Sequence, residues 1–249
     1  MKILSALLVS AFILSSSTHL SANPDEQSAL PTMDQLALEA GTDKSSAFHN
    51  YTRIYSKYFD PIRNEPLKFL EIGIYRGNSV KMWEKYFPNA ELHFIDIDFK
   101  QIKYHSTRSH YHFVNQNDLS GQEALAQSLG GNFDIIIDDG GHRMNEQITS
   151  FKALFPHVKS GGMYIIEDLH TSYWKSHGGY GNTNNPKSGP DTCVTCLQNL
   201  VDDVNYYAAV NRCADPDKIS PELRNSLNYH QEHIEAIFFY NSICIILKR

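Results

Sequence analysis

Short apolar runs alternate with amphipathic segments along residues 68–168. Each run is bounded by polar or turn-forming residues, as expected for buried strands. The predicted strands are residues 68–74, 91–98, 111–116, 133–139 and 163–168. The helices predicted between them are residues 78–87, 119–129 and 143–157, ending at Pro88, Gly130-Gly131 and Gly161-Gly162. Strands that are apolar on both faces and alternate with helices predict a parallel sheet covered on both sides.

Before residue 68 and after residue 168, the alternation of apolar strands and helices gives way to other patterns. Residues 33–59 have helical spacing that is interrupted at residues 41–44. Residues 175–191 are rich in Gly, Asn and Pro, which predicts a mobile loop that can serve as a lid. A helical segment at 192–212 follows. Residues 235–240 and 242–248 are apolar and joined by a tight turn at Asn241, so they must pair antiparallel.

The first 22 residues have the features of a secretory signal peptide. Lys2 precedes an apolar run at residues 3–14, and Leu20-Ser21-Ala22 offers a cleavage site. The run is short for a membrane span. This predicts a secreted or periplasmic protein whose mature part, residues 23–249, is a single domain. The alternative is an ordinary buried N-terminal helix.

Composition narrows the class of protein. A chain of 249 residues that is 41% hydrophobic fits one α/β domain with a full-sized core. Its net charge of −6 offers no basic face for nucleic acid. Cys193 and Cys196 form a lone CxxC pair, which argues against zinc. Export would permit disulfides, and Cys244, in an apolar run, is predicted to be a core residue.

Acidic or amide side chains follow every predicted parallel strand. Ligands of open parallel sheets bind beyond the carboxyl ends of the strands. Because clustered carboxylates repel one another, their convergence indicates a cation or a ligand. The residues concerned are Glu71, Asp96, Gln116, Asp118, Asp138, Asp139, Glu167 and Asp168.

The turn after the first strand is typical of a nucleotide site. Gly73 and Gly77 would let the backbone approach a ligand, and Asp96 lies where an acid can bind ribose hydroxyls. The spacing is GxxxG and not GxGxxG, which argues against a dinucleotide. Glu71 would repel phosphate but attract an amine or a sulfonium. The alternative is an ordinary turn without a ligand.

Residues 138–142 (DDGGH) give a sharper signal. Asp139, Glu167 and Asp168 could supply oxygen ligands to Mg²⁺, which suits carboxylates better than zinc does. His142 is then a candidate general base; alone, it would be an ordinary surface imidazole. His170, Tyr173 and Trp174 are candidates for an acceptor pocket or for simple loop packing.

Together these segments resemble the metal-dependent macrolide-sugar O-methyltransferases of the mycinamicin and demethylmacrocin type. The resemblance runs through residues 41–59, 69–83, 94–98, 133–142, 161–174 and 239–248. Gly141 replaces the serine of the family's usual DDGSH motif. The family often carries an additional N-terminal domain that has no counterpart in this sequence.

The resemblance implies a class I, Rossmann-like fold with a seven-stranded, mostly parallel sheet, a C-terminal antiparallel hairpin and helices on both faces. It implies S-adenosylmethionine at Glu71, Gly73, Asp96, Gln116, Asp118 and Asp138, closed by the Thr42-Asp43-Lys44 turn. It also implies Mg²⁺ at Asp139, Glu167 and Asp168, with His142 as the base.

The expected activity is therefore Mg²⁺-assisted O-methylation of a hydroxyl on a small sugar, polyol or glycosylated metabolite. Export is in tension with a cofactor made in the cytosol. A secreted, non-catalytic metabolite-binding protein on the same fold is the alternative. A nicotinamide oxidoreductase is a weaker one, because Glu71 and the missing GxGxxG argue against it.

Overall fold

The computed structural model describes residues 30–249, so the predicted signal peptide lies outside the described residues. Residues Thr32–Arg249 form one compact unit. Its strands are β1 (Lys68–Ile72), β2 (Glu91–Asp96), β3 (Ser109–Phe113), β4 (Phe133–Asp138), β5 (Val158–Ile166), β6 (Ile234–Tyr240) and β7 (Ile243–Lys248).

All seven strands belong to one sheet, in the order β3-β2-β1-β4-β5-β7-β6. The first five strands pair in parallel, and β7 pairs antiparallel with both β5 and β6. The strand order reverses beside β1, so the carboxyl ends of β1 and β4 border the crevice where such sheets bind ligands. The predicted mostly parallel sheet with an antiparallel C-terminal hairpin is confirmed.

Helices cover both faces of the sheet. The longer ones are α1 (Met33–Ala40), α2 (Thr52–Phe59), α3 (Asn78–Tyr86), α4 (Leu119–Ser128), α5 (Met144–Leu154) and α6 (Cys193–Asn211). Two short helices, α7 (Pro221–Ser226) and α8 (Tyr229–His233), precede β6. Helix α1 starts at a capping box formed by Thr32 and Gln35, and it ends at Gly41 in the left-handed conformation.

The hydrophobic core divides between the two faces. Trp83 of α3 lies in the first cluster, where its ring packs against Phe59, Phe69 and Phe87. Phe151 of α5 lies in the second cluster on the opposite face. Both clusters exclude water from the strands, so the polar edge of the sheet lies on a rigid support.

Two local predictions were wrong. Gly161 and Gly162 do not end a helix: α5 ends at Leu154, before a 3-10 turn that contains Pro156, and both glycines lie inside β5. Proline has no N–H to continue the helical hydrogen bonds. The register shift between Phe133 and Ile135 accommodates the early start of β5. The third strand also begins two residues earlier than predicted, at Ser109.

Residues 175–191 form a loop that contains backbone contacts between its own residues. A 3-10 turn at Lys175–His177 is followed by bridges between Trp174 and Gly181 and between Asn182 and Asn185. Its mobility as a lid stays a prediction. All four cysteines are free thiols, and Cys244 is buried in the core as predicted. Among the described residues, helices are too short or too polar to cross a bilayer.

Candidate active site

A cavity of about 380 Å³ opens at the carboxyl ends of β1, β2 and β4. Six of the residues predicted from the sequence line it. These are Asp43, Gly73, Asp96, Gln116, Asp139 and His142. The other lining residues are Ile72, Tyr75, Ile97, Gln101, Val114, Asn115, Gly140, Gly141 and Glu146. Thr42 lines a smaller neighbouring cavity, which shares Asp43, Gly73 and Asp139 with the first.

Gly73 forms the floor of this cavity. Its φ of +97° is a conformation that side chains rarely adopt. A Cβ at this position would lie 1.9 Å from the backbone oxygen of Asp139. The turns after β1 and β4 therefore touch through their backbones, and a ligand would meet main chain here instead of a side chain.

Asp96, at the carboxyl end of β2, holds the turn that follows β1. Its Oδ2 accepts hydrogen bonds from the backbone N–H groups of Ile74 (2.9 Å) and Tyr75 (3.0 Å). Its Oδ1 accepts one from the N–H of Ile97 (2.7 Å). Because carboxylate oxygens have further lone pairs, Asp96 could still accept hydrogen bonds from ligand hydroxyls.

Gln116 connects the cavity wall to a buried carboxylate. Its amide nitrogen donates to Asp138 Oδ1 (2.7 Å), and its amide oxygen accepts from the N–H of Gly141 (2.8 Å). Asp138 is fully buried, and burial raises its pKa to about 7. Its Oδ2 has no hydrogen-bond partner among the described residues. Asp138 therefore lies behind Gln116 and supports the wall.

Glu71 and Asp118, like Thr42, Lys44 and Asp138, were predicted to bind the cofactor but do not line the cavity. Glu71 is fully buried beneath it, where it accepts hydrogen bonds from Ser79 Oγ (2.8 Å) and Trp83 Nε1 (3.1 Å). Burial raises the pKa of Glu71 to about 7, although Lys44 opposes the shift. Asp118 caps α4 by accepting from the N–H of Gly121 (3.0 Å). Contact of either residue with a cofactor stays a prediction.

Lys44 occupies the middle of the acid cluster and not the cofactor cavity. Its side chain is fully buried, and its ammonium bonds to Asp139 and to both carboxylate oxygens of Glu167 (2.8 and 2.9 Å). Glu71 Oε1 lies 3.4 Å away. Burial would lower the pKa of Lys44, but the three carboxylates hold it well above its ordinary value.

Asp168 is held at the outer side of the cluster. It has left-handed backbone angles (φ 56°, ψ 33°) and accepts a hydrogen bond from the Tyr51 hydroxyl (2.7 Å). His142 Nε2 lies 3.4 Å from its carboxylate, and His49 Nε2 lies 3.8 Å from it. Burial would raise the pKa of Asp168, but these neighbours hold it below its usual value.

The acids and His142 fall into two groups that share Asp139. One oxygen or nitrogen of each of Asp139, His142 and Asp168 lies within 4.8 Å of the others. Glu71, Asp139 and Glu167 meet the same condition. Asp139 therefore groups with Asp168 on one side and with Glu167 on the other, but the described residues do not place all three predicted metal ligands in one group. Their joint binding of one ion stays a prediction.

Aromatic rings line the outer side of Asp168. His170 packs edge-on to Trp174 at 4.6 Å between ring centroids, and His49 stacks on Tyr51 at 5.0 Å. His49 and His170 lie 5.9 Å apart. His170 and Trp174, candidates for an acceptor pocket or for loop packing, therefore lie beside the acid cluster but outside the main cavity.

Sequence reasoning missed three side chains that hold the acids in place. Tyr51 bonds to Asp168, Tyr55 to Glu167, and His49 lies beside Asp168. Tyr51 and Tyr55 are four residues apart and fully buried, so their hydroxyls need partners. This need for hydrogen-bond partners is the one signal in the sequence that could have indicated a role for the two tyrosines.

Comparison with known proteins identifies the family to which this chain is similar. Residues 70–169 match a family described as a methyltransferase domain. The chain is 34% identical over 207 residues to L-olivosyl-oleandolide 3-O-methyltransferase of Streptomyces antibioticus, covering 80% of this chain and 52% of the relative. It is 33% identical over 231 residues to demethylmacrocin O-methyltransferase of Streptomyces fradiae, covering 89% and 54%.

Among solved structures, the chain resembles the MycE methyltransferase of the mycinamycin biosynthetic pathway. The MycE complex with Mg, SAH and mycinamycin VI aligns with a TM-score of 0.71 and 30% identity, over 88% of this chain and 54% of MycE. A second crystal form with Mg and SAH gives a TM-score of 0.74 at 31% identity. The chain spans about half the length of these relatives.

Proposed function

Because this chain carries a class I methyltransferase domain that resembles the macrolide-sugar O-methyltransferases, we propose that it methylates a sugar hydroxyl of a small glycosylated molecule. The proposal rests on one observation: residues of the predicted metal and base site line the same cavity as residues of the predicted cofactor site. Asp139 and His142 line the same cavity as Gly73, Asp96 and Gln116. A ligand held by the second set would therefore meet the acids and the base of the first.

The cavity fits S-adenosylmethionine in size and chemistry. Its volume of about 380 Å³ lies in the range of small-ligand sites. Gly73 leaves room that a Cβ would fill, and Asp96 offers lone pairs where ribose hydroxyls are expected. Asp43 and Glu146 add negative charge to a wall that would face a cationic sulfonium. When bound, S-adenosylmethionine supplies an electrophilic methyl group.

The acid cluster fits a hard divalent ion. Asp139 and Asp168 offer carboxylate oxygens, which Mg²⁺ prefers, and their oxygens lie within 4.8 Å of each other. His142 Nδ1 is buried and has no partner among the described residues, which leaves this nitrogen available to an acceptor hydroxyl and not committed to the ion. When bound, Mg²⁺ supplies Lewis-acid polarisation of the acceptor oxygens.

His142 would act as the general base. It lies between the cavity and Asp168, where it can take the proton of an acceptor hydroxyl. The Asp168 carboxylate, 3.4 Å from Nε2, would stabilise the imidazolium that results. Tyr51 in turn fixes Asp168. These residues orient the acceptor oxygen toward the cofactor cavity, so positioning would supply much of the rate.

The acceptor class rests on the relatives. Their names describe O-methylation of olivosyl and rhamnosyl sugars, and MycE was crystallised with mycinamycin VI. The aromatic rings of His170 and Trp174 beside the acids would suit the apolar face of a sugar ring. The secreted, non-catalytic binding protein remains the alternative that binding measurements address.

We would test the proposal by calorimetric titration of residues 23–249 with S-adenosylmethionine and S-adenosylhomocysteine, with and without Mg²⁺. Micromolar binding of both, followed by methyl transfer to a glycosylated acceptor, is the expected result. A folded protein that binds neither would overturn the proposal and favour the metabolite-binding alternative. Binding without transfer to any tested sugar would contradict the acceptor class alone.

We also infer export from residues 1–22, on the sequence pattern alone. The test is the mass of the protein recovered from a host with a secretory pathway. A chain that begins near Asn23 is expected. An intact chain that still begins at Met1, recovered only from the cytosol, would contradict export and remove the tension with a cytosolic cofactor.

A further inference from the structure

A second cavity, of about 570 Å³, lies between the first turns of α5 and the loop of residues 175–191. We call it the loop cavity. Its volume is in the range of small-ligand sites. It shares no lining residue with the cofactor cavity, so a ligand bound there would not compete with the cofactor for the same side chains.

The charged side chains that line the loop cavity are mainly basic. They belong to Arg143, Lys175 and His177, and Asp191 is the one acid among the described residues that line it. The described lining of the cofactor cavity has the opposite character, with four acids and neither lysine nor arginine. Because the whole chain has a net charge of −6, the basic side chains of the loop cavity do not reflect an excess of basic residues in the chain.

Arg143 and Lys175 are not neutralised by neighbouring acids. Both residues are exposed, and neither forms an ion pair with a described carboxylate. Asp191 instead accepts a hydrogen bond from the hydroxyl of Tyr180 (3.3 Å). A guanidinium and an ammonium that line one cavity without a carboxylate partner favour the binding of an anion such as phosphate or carboxylate.

A series of rings connects the loop cavity to the acid cluster. The ring centroid of His177 lies 5.9 Å from that of Trp174, which lies 4.6 Å from that of His170. His170 Nδ1 in turn lies 3.9 Å from the carboxylate of Asp168. Burial, followed by the nearby His142, lowers the pKa of His177. The loop cavity therefore adjoins the proposed base and the proposed metal ligand.

We propose that the loop cavity binds an anionic group of the acceptor, so that the acceptor is an acidic sugar with a phosphate or a carboxylate. The inference rests on the proposed function, because it concerns the sugar whose hydroxyl is methylated beside His142. Arg143 and Lys175 bind the anionic group. Trp174 lies between this group and the reacting hydroxyl, where its ring can pack against the sugar.

The test is a calorimetric titration of residues 23–249 with matched sugars that differ in charge, in the presence of S-adenosylhomocysteine and Mg²⁺. One pair is rhamnose 1-phosphate and methyl rhamnoside, because one relative acts on a rhamnosyl compound. The other pair is glucuronate and glucose. The acidic member of at least one pair is expected to bind about 10- to 100-fold more tightly than its neutral partner. A preference confined to one pair identifies the anionic group as phosphate or as carboxylate, and no preference in either pair would overturn the inference.

Variants separate the loop cavity from the divalent ion, which also attracts anions. Arg143→Gln with Lys175→Gln is expected to fold, since both side chains are exposed, and to lose the preference for the acidic sugar. Lys187→Gln is the matched control: Lys187 is an exposed lysine of the same loop that does not line the cavity, and this variant should keep the preference. A preference that survives in the double variant, or an equal loss in Lys187→Gln, would refute the inference.

The same titrations distinguish this inference from the proposed function. If folded wild type does not bind S-adenosylhomocysteine, the proposed function itself fails. If wild type binds S-adenosylhomocysteine but favours neither acidic sugar, the cofactor site stands and only the anion-binding role of the loop cavity is refuted.

Discussion

The hydroxyl of Tyr51 donates a 2.7 Å hydrogen bond to Asp168, joining the segment before α2 to the loop after β5. The same hydroxyl lies 3.0 Å from Ser242 Oγ, in the turn between β6 and β7. Burial and the Asp168 carboxylate raise the pKa of Tyr51, so the hydroxyl stays protonated and remains a donor. Three segments distant in sequence therefore meet at one proposed metal ligand.

Replacing Tyr51 with Phe should weaken metal binding without unfolding the protein. Loss of a partner that orients a ligand lowers metal affinity by about 10- to 100-fold. Titration with Mn²⁺ would measure the change. Tyr58→Phe is the matched control, because it removes a hydroxyl that pairs with Tyr240 (2.7 Å), away from the acid cluster. Equal affinities in both variants would refute an orienting role for Tyr51.

Asp139→Asn should reduce methyl transfer by at least about a hundredfold, because it removes the carboxylate that both cation groups share. The amide oxygen can still accept from the Lys44 ammonium, so the fold should be kept. Rates under saturating cofactor would measure the loss. Asp215→Asn is the control: Asp215 caps a 3-10 turn before α7, does not line the cavity, and its replacement should leave the rate unchanged. Wild-type turnover in Asp139→Asn would remove this residue from the metal site.

Gly73→Ala should abolish cofactor binding through contact as well as backbone strain. The added Cβ would lie 1.9 Å from the Asp139 carbonyl oxygen. Gly161→Ala is the control, since Gly161 also has a positive φ (+76°) but open space around its Cβ. Backbone strain alone should cost each variant about 1–3 kcal/mol of unfolding free energy. Calorimetry should show loss of binding only in Gly73→Ala; loss in both would attribute the effect to strain.

The contribution of His112 to stability should fall as the pH is lowered from about 6.5 to 4, whereas Glu71 and Asp138, with pKa values raised to about 7, contribute in the opposite direction. Burial, followed by the neighbouring His93 and His110, lowers the pKa of His112 to about 4. The unfolded chain has a histidine pKa of about 6.5, so it binds more protons in this range and is favoured by acid. The full shift corresponds to about 3 kcal/mol, and partial exposure of the ring reduces it to roughly 1–2 kcal/mol.

Urea unfolding at pH 7.5 and pH 4.5 would test this dependence. His112→Gln should lose less stability between the two pH values than wild type does. His105→Gln, at an exposed position, should match wild type. If His112→Gln and wild type lose the same amount, the acid sensitivity lies in other groups.

Most of the fold could be predicted from the sequence, because the patterns that indicate strands and helices arise from residues that are close together in the chain. Runs such as residues 133–138 are apolar on both faces, which only a covered parallel strand requires. The closeness of Asp139 to Glu167 and to Asp168 could be predicted as well, since parallel strands place their carboxyl ends along one edge. Gly161 and Gly162 led to a wrong helix-end prediction, because glycine occurs both at helix ends and in irregular strands.

The interior of the site could not be predicted in the same way. Strand alternation does not say which face receives Glu71 when both faces are buried, and the structure turns it toward Trp83 and away from the cavity. Lys44 lies in a polar turn where most lysines point to solvent. Its burial depends on three acids, two of them 95 and 123 residues further along the chain. Local sequence patterns do not indicate contacts between residues that are so far apart in the chain.

The position of β7 within the sheet has a consequence during synthesis. Residues 243–248 lie between β5 and β6, and the preceding turn carries Ser242 to Tyr51. Until these residues leave the ribosome, the open edge of β5 has no partner on that side and β6 has no strand to pair with. A nascent chain that stops at Tyr240 therefore lacks the strand that joins β6 to the rest of the sheet, and its unpaired strand edges are available to chaperones.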